Sequence, residues 1–231
     1  MNIEPCTTRV FKEGESLADF IVSCSPKLPN RCILVIASKI VSLSENRTAI
    51  INSKKDKDAI IKNESQWALR TKSTWLTYSK GYLMTSAGID ESNGKGKVIL
   101  LPKNSFKSAE KLQRRLKKHY GIQEFGILIA DSRSIPFRKG IVGVAIGYAG
   151  FSGIRDYRGK RDIFGRKFKF SKTNVADSLA TAAILEMGEG NEQKPFAIIS
   201  DANVEFREKI DENELVIKFS EDKYRPVLIK K

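Results

Sequence analysis

The sequence predicts an α+β protein built on a largely antiparallel sheet, and three observations carry that expectation. Short unbroken apolar runs read as buried strands, as in "RCILVIASKIVSL" (31–43), "FGILIADSRS" (125–134) and "PFAIIS" (195–200). Other segments place apolar residues at helical spacing. The strands come with hairpin turns and without the regular alternation of a parallel βαβ chain. Across 231 residues there is neither an internal repeat nor a long linker. The whole chain, 1–231, is therefore expected to form one domain, or two intertwined subdomains with no clean boundary.

In chain order, Ser16 caps a short helix to Cys24 that buries Leu17, Phe20, Ile21 and Cys24. The run 31–43 is a strand entering a turn. The stretch "KDKDAIIKNESQWALR" (55–70) reads as one helix with Ile60, Ile61, Trp67 and Ala68 inward. Residues 74–87 form a hairpin turning at Lys80-Gly81, and "KVILLP" (97–102) is a strand stopped by Pro102. A helix from Ser108 to Tyr120 faces inward through Ala109, Leu112, Leu116 and Tyr120 and is closed by Gly121. Five glycines in 140–153 mark either a strand packed tightly on neighbouring backbone or a backbone that lets a ligand approach. A helix from about Val175 to Met187 ends at Gly188 and Gly190. "PFAIIS" and "ELVIKF" (214–219) read as final strands before a basic tail.

Composition narrows the function. Apolar content of 41% and aromatic content of 9% suit a globular protein. No stretch reaches the roughly 20 apolar residues of a membrane helix, and "MNIEPCTTRVFKEGES" lacks a secretory apolar core. Cys6, Cys24 and Cys32 form no CxxC pair, and an odd count fits a reducing cytosol, so a cytoplasmic location is expected. One histidine, His119, leaves little scope for a His/Cys zinc site, so any metal should be a hard cation held by oxygen. Lys and Arg number 41 against 27 Asp and Glu, a net +14, which attracts nucleotides, nucleic acid or polycarboxylates. No GxxxxGK[ST] loop is present, and "GEGNEQ" both ends in Gln193 and follows a helix, unlike a dinucleotide motif.

Two segments deliver acids from apolar runs. "LMTSAGIDESNGKGK" (83–97) presents Asp90 and Asn93, and "FGILIADSRSIPFRKG" (125–140) presents Asp131 and Ser132. Together they offer oxygen donors of the kind Mg²⁺ or Mn²⁺ takes, with phosphate oxygens completing the shell. The alternative is ordinary turn chemistry, with Asp90 in an Asx-turn and Asp131 paired with Arg133 or Arg138. A second functional class is nucleic-acid binding through "RDYRGKRDIFGRKFKFSK" (155–172), where Tyr157, Phe164, Phe168 and Phe170 would stack on bases.

In order along the chain, "ILVIASKIVS", "SAGIDESN", "LLP", "ADSRSIPFRKGIVGVAIGYAG", "RDYRGKRDIFGR" and "NVADSLATAAILEMGEG" resemble the coenzyme F-420-0:gamma-glutamyl ligase family. The resemblance spans about Arg31 to Gly190. It implies a homodimeric ligase joining L-glutamate to a substrate carboxylate, with GTP or ATP as co-substrate and Mg²⁺ or Mn²⁺. By position it implies Asp90 and Asp131 as catalytic metal ligands, with Ser132 adding a hydroxyl. It places Ser38, Lys39, Asn93 and the stretch Met187, Gly188, Glu189, Gly190 against the nucleotide, with Glu189 a further candidate metal ligand. The N-terminal nucleotide segment is matched only by position, around Thr8–Phe11. The basic residues Arg155, Arg158 and Arg161 are candidates for holding acceptor carboxylates, or else a solvated surface. Departures at Leu43 and at Ser132–Pro136 leave GTP or ATP open. The form "DSRSIPFRKG" resembles a branch thought to extend folates, so the acceptor is expected to be a folate or coenzyme F-420-0.

Overall fold

The computed structural model describes residues 1–25, 27–94 and 96–228. Strand β1 (Asn2–Cys6) precedes helix α1 (Leu17–Cys24), strand β2 (Cys32–Ala37) and helix α2 (Ser38–Ser44). Then come β3 (Thr48–Ile50), α3 (Lys54–Asn63), β4 (Trp67–Arg70), β5 (Trp75–Ser79), β6 (Tyr82–Thr85) and β7 (Lys97–Ile99). The second half holds α4 (Ser105–Tyr120), β8 (Phe125–Ser134), β9 (Ile141–Ala149), β10 (Ile154–Asp156), β11 (Lys172–Asn174), α5 (Val175–Met187) and β12 (Phe196–Ser200).

Five strands make the central sheet in the order β1-β12-β2-β8-β9. Only β2 and β8 run parallel, from Cys32 opposite Phe125 to Ala37 opposite Ala130, and the other pairs are antiparallel. Smaller sheets, β4-β5-β6, β3-β7 and β10-β11, complete the α+β architecture. Both faces of the central sheet are covered, which is why β2 carries a continuous apolar run. Leu34, Ile36, Ile127 and Ile129 pack with α1 and α4 on one face, and Ile33, Val35, Leu128 and Ala130 pack with α5 on the other.

Local signals placed most elements. Ser16 accepts from Asp19 N to cap α1, Gly121 (φ 65°) ends α4 in the left-handed region, and α5 stops at Met187 as expected. The hairpin turns at Lys80 (φ 52°) and Gly81 (φ 85°) as its sequence predicts. Helix α4 begins a turn earlier than expected because Asn104 caps it by accepting from Lys107 N.

Tertiary pairing overrode several expectations. The chain after β2 forms helix α2 instead of a turn. The helix expected over 55–70 ends at Asn63, and Trp67–Arg70 pairs with β5 as a strand, leaving Trp67 exposed. Asn2–Cys6, with a mixed polar pattern that gives no strand signal, is extended because β12 pairs with it. "ELVIKF" forms no strand. Leu215 packs on the core while Val216 and Ile217 are exposed, and the segment finds no strand partner among the described residues. The basic tail from 229 onward lies outside the described residues.

The glycine-rich strand β9 is a packing device. A Cβ at Gly143 would lie under 3.0 Å from the Ala180 backbone of α5, and one at Gly147 would meet Ser105 at the start of α4. The two glycines let helices approach the strand from opposite faces, which favours the close-packing reading at both positions. The pairing of β8 with β9 shifts register between Ile129 and Ala130, the last apolar residues before Asp131.

Candidate active site

Strand β8 does not end with its apolar run. It continues through Asp131 to Ser134, paired with β9, whereas β2 stops opposite Ala130. From Asp131 onward the β2 side of β8 is therefore open, and the first residues of α2 turn in beside it. Ligands of open sheets gather at such carboxyl ends of parallel strands.

Asp131 is half-buried, and Ser38 Oγ donates to its Oδ1 at 3.0 Å. Burial pushes its carboxyl above the ordinary range, opposed by Arg133 and by the Ser38 bond, while the nearby Asp90 charge adds to the rise. Asp90 is anchored by a backbone exchange with Ile99, donating at 2.9 Å and accepting at 2.8 Å. Its Oδ1 accepts from Ser92 N at 2.7 Å, an Asx-turn, and its Oδ2 lies 2.7 Å from Lys39 Nζ. Lys39 Nζ also donates to Ser92 Oγ at 2.9 Å. Burial raises the Asp90 carboxyl, but the Lys39 and Ser92 bonds outweigh it and the net shift is downward.

Alternation along β8 turns Ser132 to the opposite face, where α5 ends. Glu189 follows that helix and comes near enough to Ser132 for the hydroxyl to favour its charged carboxylate. Its carboxyl is raised by burial first and then by the neighbouring Asp131 and Asp90 charges, with Ser132 and Lys39 opposing. Asp90, Asp131, Ser132, Glu189, Ser38 and Lys39 thus meet around the ends of β2 and β8. Asp131 and Asp90 share this cleft through adjacent residues of α2, Ser38 and Lys39.

The remaining candidates separate. Asn93 (φ 58°) is exposed in the turn after Ser92. Met187 belongs to the core under α5, so its side chain is not available to a ligand. Gly188 (φ 81°) closes α5, donating to Ile184 O at 2.9 Å, and a Cβ there would meet the Glu192 carboxylate. Gly190 N donates to Glu192 Oε2 at 2.8 Å. Arg155, Arg158 and Arg161 lie on the excursion between β9 and α5, which joins the N-terminal end of that helix through Gly153. Glu189 lies at the other end of its 13 residues, about 20 Å away. The arginines are already engaged, Arg158 with Asp156 and Arg161 with Gly165 O within the excursion, and Arg155 with Asn203 O beyond β12. Among the aromatics of this excursion, Phe164 and Phe170 are exposed, while Tyr157 and Phe168 contact each other edge to face.

Two residues escaped the sequence reading. Arg133, expected only as a partner for Asp131, is buried with its guanidinium 4.5 Å from the centre of the Tyr82 ring. Tyr82 itself donates to Ala145 O at 3.0 Å, tying the β4–β6 sheet to β9. Neither has a motif signal, because their contact is made between distant segments.

The donors at the cleft are carboxylate and hydroxyl oxygens, the set a magnesium or manganese ion takes. The Asp90 charge raises the carboxyls of Asp131 and Glu189, and Asp131 also raises Glu189, a repulsion that a divalent cation would relieve. Among the described residues no three Asp, Glu, Cys or His side chains form a closed metal cage. Also among the described residues, no helix is long and apolar enough to cross a membrane.

Residues 5–201 match the family model described as F420-0:Gamma-glutamyl ligase. The chain is 35% identical over 215 residues to the coenzyme F420:L-glutamate ligase of Methanocaldococcus jannaschii, covering 85% of this chain and 86% of that protein. It is 34% identical over 218 residues to the protein of that name from Methanopyrus kandleri, with 86% of each covered. For the Archaeoglobus fulgidus protein of the same name the identity is 32% over 213 residues, covering 84% of this chain and 85% of that one. A match over most of the chain, at this identity and in this order of motifs, means that the chain belongs to the F420-0:gamma-glutamyl ligase family.

Proposed function

We propose that this chain is an amide-forming ligase that adds L-glutamate to an acceptor carboxylate, using a nucleoside triphosphate and Mg²⁺ or Mn²⁺. The observation that carries the reading is the meeting of Asp90, Asp131, Ser132 and Glu189 with Ser38 and Lys39. A carboxylate does not form an amide in water unless it is first activated. In this reading the acceptor carboxylate takes the γ-phosphoryl group, and the glutamate amine then displaces phosphate from the acyl phosphate. A cation held by Asp90, Asp131 and Ser132 would supply charge neutralisation for the phosphoryl oxygens.

The protein's own part is positional. Ser38 fixes the rotation of the Asp131 carboxylate. Lys39 holds Asp90 while the cleft is without substrate, and its ammonium is placed to turn to a phosphate oxygen once Asp90 has another partner. At the sheet end the half-buried Asp131 lies in a region of reduced water access, where its charge acts more strongly. In the same reading the protein works as a homodimer in the cytoplasm.

The names of the relatives favour a coenzyme F-420 precursor as acceptor, whereas the stretch Ser132–Pro136 favours a folate. Incubation with Mn²⁺ or Mg²⁺, GTP or ATP, L-glutamate and each acceptor, followed by mass spectrometry, decides among them. A mass gain of one glutamyl residue on either acceptor is expected. No gain with any combination would remove the reading. Nucleic-acid binding through the exposed Phe164 and Phe170 would instead give salt-sensitive RNA affinity without nucleotide turnover.

A further inference from the structure

We propose that Arg133 anchors an anionic group of the reactants beside Asp131, through the Nε–Nη2 edge of its guanidinium. The proposal rests on the ligase reading for the identity of the reactants, which carry carboxylate and phosphoryl oxygens. Its geometric basis is independent of that reading.

The Arg133 side chain is only 9% exposed, yet Nε and Nη2 have no hydrogen-bond partner. Buried donors are almost always satisfied, and two on one charged group are costly to leave unmet. The rest of the guanidinium is held. Nη1 points to Leu83 O at 3.5 Å, and the Tyr82 ring lies 4.5 Å from the central carbon. These contacts fix the plane and leave one buried edge without a partner.

That edge is the one suited to two parallel bonds with a planar pair of oxygens. Elsewhere in the same chain it takes both oxygens of a carboxylate: Arg158 donates to Asp156 through Nε to Oδ1 at 3.1 Å and through Nη2 to Oδ2 at 2.6 Å. At Arg133 the nearest acid is Asp131, whose Oδ2 lies 4.0 Å from Nη2, beyond hydrogen-bond reach. The other Asp131 oxygen is taken by Ser38. Asp177, the further acid that Arg133 feels, already accepts from Ala145 N and the Asn174 amide. The protein therefore carries a rigid cation, with its two-oxygen edge unfilled, one turn of strand from the acids of the cleft. A carboxylate or phosphoryl group entering beside Asp131 would fill it.

The test uses the full chain with Mn²⁺ and compares wild type with Arg133→Met and Arg133→Lys. Steady-state KM values are measured separately for L-glutamate, the acceptor and the nucleotide. Arg133→Met should raise the KM of one reactant by about tenfold or more and leave the others within about twofold. Arg133→Lys, which keeps charge but loses the edge, should recover only part of the loss. A rise confined to glutamate or acceptor assigns a carboxylate to the edge, and a rise confined to nucleotide assigns a phosphoryl group. Unchanged KM values in both variants overturn the proposal, as does a loss of kcat alone. If the wild type shows no ligation, the ligase reading fails, and the shift in melting temperature on adding L-glutamate, GTP or ATP with Mn²⁺ becomes the readout. Loss of one of those shifts in Arg133→Met then sustains the anchor, and equal shifts or no shifts in both proteins remove it. Should Arg133→Met not fold, the same comparisons with Arg133→Lys decide.

Discussion

Ser38 and Asp131 are joined by a 3.0 Å hydrogen bond across the ends of the two parallel strands. The residue after Ser38, Lys39, reaches Asp90 from the same turn of backbone. One short segment thus sets the positions of two acids that the chain brings in from separate sheets.

Asp131→Asn removes a charge that burial disfavours, so its melting temperature should match or exceed that of the wild type. Ligase activity should nevertheless fall by about 10²-fold or more, the scale seen when a group that stabilises developing charge is removed. Asp90→Asn should lose activity similarly, with a stability cost under about 1 kcal/mol because its ion pair with Lys39 is partly exposed. Thermal melts combined with the mass-spectrometric assay check both. Wild-type turnover in either variant would rule out this cleft as the active site.

Lys39→Met frees an Asp90 oxygen that the ammonium now occupies at 2.7 Å. Without nucleotide, Mn²⁺ should bind this variant about tenfold more tightly, because no cation has to be displaced and about 1.4 kcal/mol suffices. Titration calorimetry measures this directly. Equal Mn²⁺ affinities would mean that the metal does not share Asp90 with Lys39.

Gly143→Ala should destabilise the fold by about 1–3 kcal/mol, since its Cβ would collide with the Ala180 backbone of α5. For a chain of this size that is a fall of roughly 2–4 °C in melting temperature per kcal/mol. A variant as stable as the wild type would show that β9 and α5 are not in backbone contact there.

Glu214 gathers three donors: Tyr148 Oη at 2.6 Å, Gly153 N at 2.6 Å and Arg207 Nη2 at 2.5 Å. Glu214→Ala strands a half-buried arginine and should cost about 3–5 kcal/mol. Amide exchange should rise first in residues 201–217, which this carboxylate ties to the end of β9. Unaltered exchange there would assign the segment's order to other contacts.

Burial pushes the Cys6 thiol up to about 11, the Cys32 thiol to about 12 and the Tyr82 hydroxyl to about 12. A raised folded value favours the protonated group, so this stability is complete below the unfolded values, near 9 for the thiols and 10 for tyrosine. It is lost as pH climbs from there through about 11 to 12. Chemical-denaturation midpoints should therefore hold steady to about pH 9 and fall steeply above it. A Cys32→Ala variant should fall less steeply, and an identical slope would remove Cys32 from the account.

The residues themselves determined the elements whose signals are local. Ser16, Gly121 and the Lys80-Gly81 turn act within a few positions, so α1, the end of α4 and the β5–β6 hairpin were legible. So were the two acids of the cleft, through the runs that carry them and through family resemblance. Elements that exist because another segment pairs with them were not: β1 needs β12, and Trp67–Arg70 leaves a helical pattern to join β5. Tertiary structure alone decided that Arg155, Arg158 and Arg161 lie at the far end of α5 from Glu189. It also placed Arg133 over Tyr82 with an edge unfilled. Periodicity encodes which way a side chain faces along its own strand, but the partner across a cleft is fixed only when separate sheets close on one another.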